Sequence, residues 1–219
     1  VNTIQALVAE AAALLDTVPG RVVIGLTGPP GSGKTTLAET LVGALNSATP
    51  GSAAYLPMDG FHLSNAVLDQ LGRRGRKGAV DTFDVAGYVA MLDRVIAEYG
   101  HCDVFVPDFS RSLDEPVAAG GVVPAASRLV VTEGNYLGLS DAGWAPVRGA
   151  LHRLYYVDCP AEVRRARLIE RHIAGGRTRA AATAWVDDVD EPNAGLIATT
   201  QDACDHIFTS VEDLPPKCH

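Results

Sequence analysis

Eight residues, Gly28-Pro29-Pro30-Gly31-Ser32-Gly33-Lys34-Thr35, constrain this chain more than any others. They fill the pattern G-x-x-x-x-G-K-[ST], whose glycines let the backbone turn tightly and aim successive N–H groups at one anion. Lys34 then reaches the outer phosphates of a nucleotide, and the Thr35 hydroxyl is placed to coordinate Mg²⁺. The flanks agree with this reading. Val22-Val23-Ile24-Gly25-Leu26 is an apolar run suited to a buried parallel strand, and Thr36 to Leu45 repeats apolar residues at helical spacing. Strand, loop and helix N-terminus in that order set phosphate oxygens against both the N–H nest and the positive end of the helix dipole. Residues Gly28 through Thr36 are therefore expected to bind a nucleoside triphosphate.

Strand-like and helix-like segments alternate along the rest of the chain. Asn2 to Asp16 reads as a helix ahead of the first strand, Ala53 to Met58 as a strand, and Val85 to Tyr99 as a helix capped by Asp84. Asp103 to Pro107, Arg128 to Thr132 and Leu154 to Val157 are short apolar runs. A helix from Ala161 to about Ile173 follows, and His206 to Thr209 reads as a last strand. The glycines and prolines of 116–124 suggest an ordered surface loop. Repeated βα units with buried strands predict an α/β fold of the P-loop NTPase type. It is a three-layer sandwich with a mostly parallel five- or six-stranded sheet and helices on both faces. At 219 residues one domain is the expectation. A net charge of −8 argues against nucleic acid as a partner. No apolar stretch is long enough to span a bilayer, and no secretory pattern opens the chain. Cys102, Cys159, Cys204 and Cys218 are scattered, so they read as reduced thiols of a cytoplasmic protein rather than a zinc site or disulfide framework.

In such a sheet ligands sit beyond the carboxyl ends of the strands. Two candidate strands end in acids there, one in Pro57-Met58-Asp59 and the other in Val131-Thr132-Glu133. Both acids are expected to face the nucleotide phosphates. Glu133 suits the metal side, holding a Mg²⁺-bound water opposite Thr35, while Asp59 suits orienting and deprotonating an attacking hydroxyl.

Four segments in order, Met58-Asp59-Gly60-Phe61-His62, Lys77-Gly78-Ala79-Val80-Asp81-Thr82-Phe83-Asp84, Val106-Pro107-Asp108-Phe109-Ser110-Arg111 and Glu133-Gly134-Asn135-Tyr136, resemble the phosphoribulokinase/uridine kinase/pantothenate kinase superfamily. The similarity runs from about Arg21 to Ser210 and is closest to a bacterial branch described as nucleoside/nucleotide kinase-like or as fructose transport system kinases. The resemblance implies an ATP- and Mg²⁺-dependent kinase whose acceptor is a hydroxyl of a small metabolite: a sugar such as fructose, a nucleoside such as uridine, or pantothenate. It implies that Asp59 is the base towards that hydroxyl and that Asp81 contacts the acceptor. Lys77-Gly78 resembles a pair found in bacterial pantothenate kinases. Arg111 stands where several members carry an acceptor-contacting histidine, and an arginine favours a phosphate, a carboxylate or vicinal hydroxyls. His62 and Tyr136 fall on the acceptor side as well. Trp185 and Pro192-Asn193 match family positions near the acceptor or base. Dimers are common among such kinases, so a homodimer is compatible with the resemblance.

Arg164, Arg165, Arg167, Arg171, Arg177 and Arg179 look like the lid of small-molecule kinases, spanning about 171–185. Arg164, Arg167 and Arg171 share one helical face. Arg167, Arg171 and Arg177 are the expected phosphate contacts, with Arg171 catalytic alongside Asp59 and Lys34, whereas Arg164 and Arg165 are expected to be solvated. Arg73-Arg74-Gly75-Arg76-Lys77 reads either as a solvated loop or as an element that recruits an anionic acceptor. The competing function is an NTP-driven switch or hydrolase acting through a protein partner. A GTPase-type switch would carry an N-K-x-D motif, which the sequence lacks.

Overall fold

The structure, a computed structural model, describes residues 3–209. Asn2, Ser210 and Cys218 lie outside that range. Thr3 caps α1 (Ile4–Thr17) by accepting from the Ala6 N–H, and α1 leads into β1 (Val22–Thr27). The phosphate loop follows, then α2 (Lys34–Ala48) and β2 (Ala53–Pro57). A 3₁₀ turn, Met58–Phe61, continues β2 and precedes α3 (Asn65–Gln70). The Asp84 carboxylate caps α4 (Val85–Ala97) by accepting from Gly87, as the sequence predicts. β3 (Val104–Ser110) and β4 (Glu115–Val123) form a separate antiparallel ribbon. β5 (Leu129–Glu133), α5 (Ala145–Ala150), β6 (Arg153–Val157) and α6 (Ala161–Ala174) come next. Then follow α7 (Arg179–Trp185), a π-helical turn Val186–Asp190, α8 (Glu191–Ala198) and β7 (His206–Phe208).

Five strands make the main sheet in the order β2–β5–β1–β6–β7, all parallel. β1 and β5 are buried along their whole length because helices cover both faces. Alternate side chains divide between two cores. Val22, Ile24, Leu26, Val131 and Tyr155 pack with Leu7, Leu37 and Leu41 of α1 and α2. Val23, Val130, Leu154 and Tyr156 pack with Tyr88 and Leu92 of α4, Trp144 and the inner side of the β3–β4 ribbon. Each buried aliphatic side chain stabilises by roughly 1.5–3 kcal/mol, so both layers are needed to hold the sheet.

The stretch 116–124, expected to be a loop, is instead almost all strand β4. Its glycines are required by proximity, since a Cβ on Gly120 would lie 2.8 Å from the Asp108 Cβ. Pro116 is tolerated because a two-stranded ribbon has edges that carry no further ladder.

Arg21 holds the opposite end of the sheet. It is 3% exposed and donates to the carbonyls of Ser127 (2.7 Å), Val95 (2.6 Å), Pro124 (2.6 Å) and Ala125 (3.1 Å). Arg21→Met would keep the packing volume and orphan those carbonyls. Urea denaturation is expected to show a loss of about 3 kcal/mol; a loss under about 0.5 kcal/mol would mean that water replaces the guanidinium.

Candidate active site

The phosphate loop is shaped by glycines that no other residue could replace. Gly28, Gly31 and Gly33 have φ of 149°, 78° and 96°. A Cβ on Gly28 would collide with the Val157 carbonyl oxygen. Pro29, Pro30 and Ser32 are buried, while Thr35 and Thr36 are half-buried at the start of α2. Gly33 supplies no side-chain cap, so the first N–H groups of α2 face the hollow of the loop. The Ser32 hydroxyl is buried without a hydrogen-bond partner, a polar atom that an anion in the loop would satisfy. Lys34 is also buried and donates to the Pro29 carbonyl at 3.0 Å. Burial lowers its pKa to about 8, against the fields of Glu133 and Asp59. A buried cation, N–H groups and an unsatisfied hydroxyl converge on one anion-sized hollow.

Both strand-end acids stand over that hollow. Register pairs Pro57 with Glu133, so β2 and β5 end level and Asp59 lies just beyond in the 3₁₀ turn. Glu133 accepts from the Thr35 hydroxyl at 3.1 Å and from the Tyr55 hydroxyl at 2.8 Å, both on Oε1. Burial raises its pKa, and the neighbouring Asp59 raises it further. The Asp59 carboxylate has no hydrogen bond or ion pair among the described residues, yet its field reaches Lys34, His62, Glu133 and Arg171. Two glycines make this arrangement possible. Gly60 lies against the Pro107 carbonyl and Gly134 against Met58, both closer than a Cβ would allow.

Beyond Asp59 the His62 ring packs between Phe83 (centroids 4.1 Å) and Phe109 (4.8 Å). Its Nδ1 lies 2.7 Å from the Asp59 carbonyl oxygen, and burial lowers its pKa. Tyr136 is buried and donates to the Gly78 carbonyl at 2.7 Å, where the Asn193 amide also donates at 3.4 Å. Asp81 pairs with Arg73 at 3.3 Å and with Arg76, leaving its Oδ1 buried and unpartnered. Lys77 donates to Asn65 at 2.7 Å and to the Asp114 carbonyl, and it pairs with the Asp114 carboxylate at 3.2 Å. Arg74 reaches the same carboxylate at 3.7 Å. Each cation of the basic loop is thus paired with Asp81 or Asp114, while Arg74 and Arg76 stay exposed.

Helix α6 packs against the phosphate loop, and α7 and α8 follow it. Arg164, expected in solvent, is 6% exposed, donates to the Pro30 carbonyl at 3.4 Å and pairs with Glu191 of α8 at 3.4 Å. The reason lies 27 residues downstream, in the half-buried carboxylate that receives it. Arg165 pairs with Asp187 instead of extending freely. Arg167 reaches the Gly31 carbonyl at 3.4 Å. Arg171 is exposed by area; desolvation lowers its pKa, followed by the field of Arg111, against the fields of Asp190, Asp59 and Glu133. Arg177 lies over the Trp185 ring at 3.8 Å, away from the loop carbonyls that Arg164 and Arg167 touch. His172 pairs with the buried Asp190 at 2.7 Å. Tyr55, Glu191 and the His172–Asp190 pair carry no motif signal and were reachable only through the fold.

Thr35 and Glu133 offer hard oxygen donors beside the phosphate hollow, a set that fits Mg²⁺ held by one or two protein groups and completed by phosphates and water. No group of three or more His, Cys, Asp or Glu among the described residues could hold a metal by itself. No described helix is long and apolar enough to cross a membrane.

The profile of the Phosphoribulokinase / Uridine kinase family matches residues 23–214. YggC, a protein of Escherichia coli named as uncharacterized, is 40% identical over 175 residues, covering 79% of this chain and 71% of that protein. A Schizosaccharomyces pombe protein named as a putative uridine kinase is 33% identical over 161 residues, covering 71% of this chain and 68% of its own. The crystal structure of a "putative fructose transport system kinase" from Silicibacter sp. TM1040 superposes with a TM-score of 0.83 at 33% identity, over 94% of this chain and 98% of that one.

Proposed function

This chain belongs to the phosphoribulokinase/uridine kinase family and is an ATP-dependent kinase, and from that premise we propose that it transfers the γ-phosphoryl of Mg-ATP to an alcohol hydroxyl of a small metabolite, a sugar such as fructose, a nucleoside such as uridine, or pantothenate. The observation that carries this reading is the unpartnered Asp59 carboxylate poised beyond the loop while Glu133, its neighbour, is tied to Thr35. One acid is free to take a proton and the other is engaged on the metal side, the division of labour that in-line transfer to an alcohol needs.

In this proposal the loop N–H groups and Lys34 hold the phosphates. Thr35 and Glu133 would hold the metal ion, which would neutralise charge on the phosphate oxygens. Asp59 takes the proton of the attacking hydroxyl. The buried, unpartnered Oδ1 of Asp81 is a ready acceptor for a second hydroxyl of the substrate. Residues from about 171 to 185 act as a lid, with Arg171 facing the transferred group and Arg177 swinging off Trp185 as the lid closes.

ADP release from Mg-ATP across fructose, uridine, cytidine, pantothenate and related polyols, with an acceptor-free control, tests the proposal. One acceptor raising the rate well above control is the expected result; fast acceptor-independent release would replace transfer with hydrolysis. Lys34→Ala removes the one buried cation of the loop. It is expected to lower kcat/KM for ATP by about a hundredfold, corresponding to the loss of a charged hydrogen bond of roughly 3 kcal/mol. Unchanged ATP kinetics in that variant would rule out the phosphate role of the loop lysine.

A further inference from the structure

Strand alternation puts Tyr55 of β2 and Glu133 of β5 on the same face of the sheet. Ala53, Tyr55, Leu129 and Val131 all pack towards α1 and α2, and Tyr55 pairs in register with Val131, the residue before Glu133 on that face. Helix α2 covers this face and brings Thr35, in its first turn, to the same carboxylate. Two hydroxyls from two elements therefore meet one acid, and both donate to its Oε1. Tyr55 is the nearer, at 2.8 Å against 3.1 Å for Thr35. In the sequence Tyr55 lies inside an ordinary apolar strand, and no motif contains it.

The second hydroxyl adds something that Thr35 alone cannot. Thr35 gives its single proton to Glu133, which leaves its lone pairs for a metal ion. The other carboxylate oxygen, Oε2, has no hydrogen-bond partner among the described residues, and it is not sealed off as the Ser32 hydroxyl is. One bond from Thr35 would leave the carboxylate free to swivel, because the last torsion of a Glu side chain is broad and nearly two-fold. Tyr55 removes that freedom. Its ring packs into the apolar layer under α2 and turns about only two side-chain bonds, so the hydroxyl is as fixed as β2 itself. The backbone is clamped from the opposite face. Thr132 gives its proton to the Leu56 carbonyl at 2.7 Å and accepts from the Tyr88 hydroxyl at 2.6 Å, tying the ends of β2 and β5 together.

We infer that Tyr55 is a positioning residue for phosphoryl transfer: its hydroxyl fixes the Glu133 carboxylate by Oε1 and so leaves Oε2 to the metal side of the nucleotide. This rests on the kinase reading and deepens it, because the metal side then depends on β2 as well as on the loop and β5. A hydroxyl that only satisfied a buried acid would affect stability and leave metal binding alone.

The test reads metal binding apart from turnover, so it needs no acceptor. Affinity for AMP-PNP, a non-hydrolysable ATP analogue, is measured by calorimetry in EDTA and again in excess Mg²⁺; the ratio is the gain due to the metal. Failure of the unsubstituted chain to bind AMP-PNP at all would end the kinase reading and this proposal with it. Binding without any metal gain would leave the loop standing and overturn the metal-side role of Glu133 and Tyr55. Tyr55→Phe removes one oxygen and keeps the ring. It is expected to cut the metal gain by about tenfold, the scale typical of a group that orients a metal's partner, and to leave affinity in EDTA within about twofold. Glu133→Gln is expected to lower the gain at least as far. Adding Tyr55→Phe to it should change the ratio by less than about twofold, because the two act through one carboxylate. An unchanged metal gain in Tyr55→Phe, equal losses in EDTA and in Mg²⁺, or a further loss of about tenfold on top of Glu133→Gln would overturn the proposal. A melting curve accompanies each variant, and failure of Tyr55→Phe to fold would assign the hydroxyl to stability instead.

Discussion

Asp59→Asn is expected to lower kcat by about a thousandfold, within the range for loss of a general base, while ATP affinity stays within a few fold. The substitution keeps the side-chain shape and removes only the charge and the ability to take a proton. Nothing in the structure requires that charge for packing, since the carboxylate has no hydrogen bond or ion pair among the described residues. Its field opposes the charge of the buried Glu133 and favours the charges of Lys34 and Arg171. These opposing fields should leave the thermal midpoint little changed even as turnover collapses. Steady-state kinetics, nucleotide titration and a melting curve on one preparation check all three. A variant retaining more than about a tenth of the wild-type kcat would place the base elsewhere. A large loss of ATP affinity would instead move Asp59 to the metal side with Glu133.

What could be read from the sequence follows from how local each feature is. The loop, the acids at the ends of β2 and β5 and the Asp84 cap are specified within a few residues, because a parallel strand delivers its last residue to the crevice whatever its neighbours do. The parallel sheet was legible for the same reason: strands buried on both faces are apolar throughout. Strand β4 was hidden by Gly120, Gly121 and Pro116, whose turn-like character reflects a close approach to β3 that the sequence does not display. Arg164 was misplaced because a buried arginine looks like any other until its carboxylate is found, and Glu191 lies on a different helix. The same holds for the loop 73–77, whose charges are neutralised by Asp81 nearby and by Asp114 across the ribbon. Charge type is readable from sequence; charge pairing belongs to the fold.

Arg171→Ala is expected to reduce kcat about a thousandfold, with a smaller change in KM for ATP. The argument begins with the helix. Arg164 and Arg167 fasten α6 to the back of the loop through the Pro30 and Gly31 carbonyls. Arg171 shares their face, roughly 6 Å beyond Arg167 and 10 Å beyond Arg164 along the axis, so its position is set by those two anchors and by the rigidity of α6. Its guanidinium makes no ion pair among the described residues; burial of the head group and then Arg111 lower its pKa, against the fields of Asp190, Asp59 and Glu133. Phosphoryl transfer places negative charge on the equatorial oxygens, and a preplaced cation stabilises that charge more than it stabilises ground-state ATP. Arg171→Lys should recover little, because a point charge on a flexible stem does not reproduce the planar fork. Arg177→Ala should cost less than tenfold, its guanidinium being stacked on Trp185 and acting only as the lid closes. Added guanidinium hydrochloride should restore part of the turnover of Arg171→Ala and none of Asp59→Asn, which separates a missing charge from a missing base. Rescue of neither, with equal losses in Arg171→Ala and Arg177→Ala, would make the two arginines interchangeable parts of a lid and remove Arg171 from the transfer step.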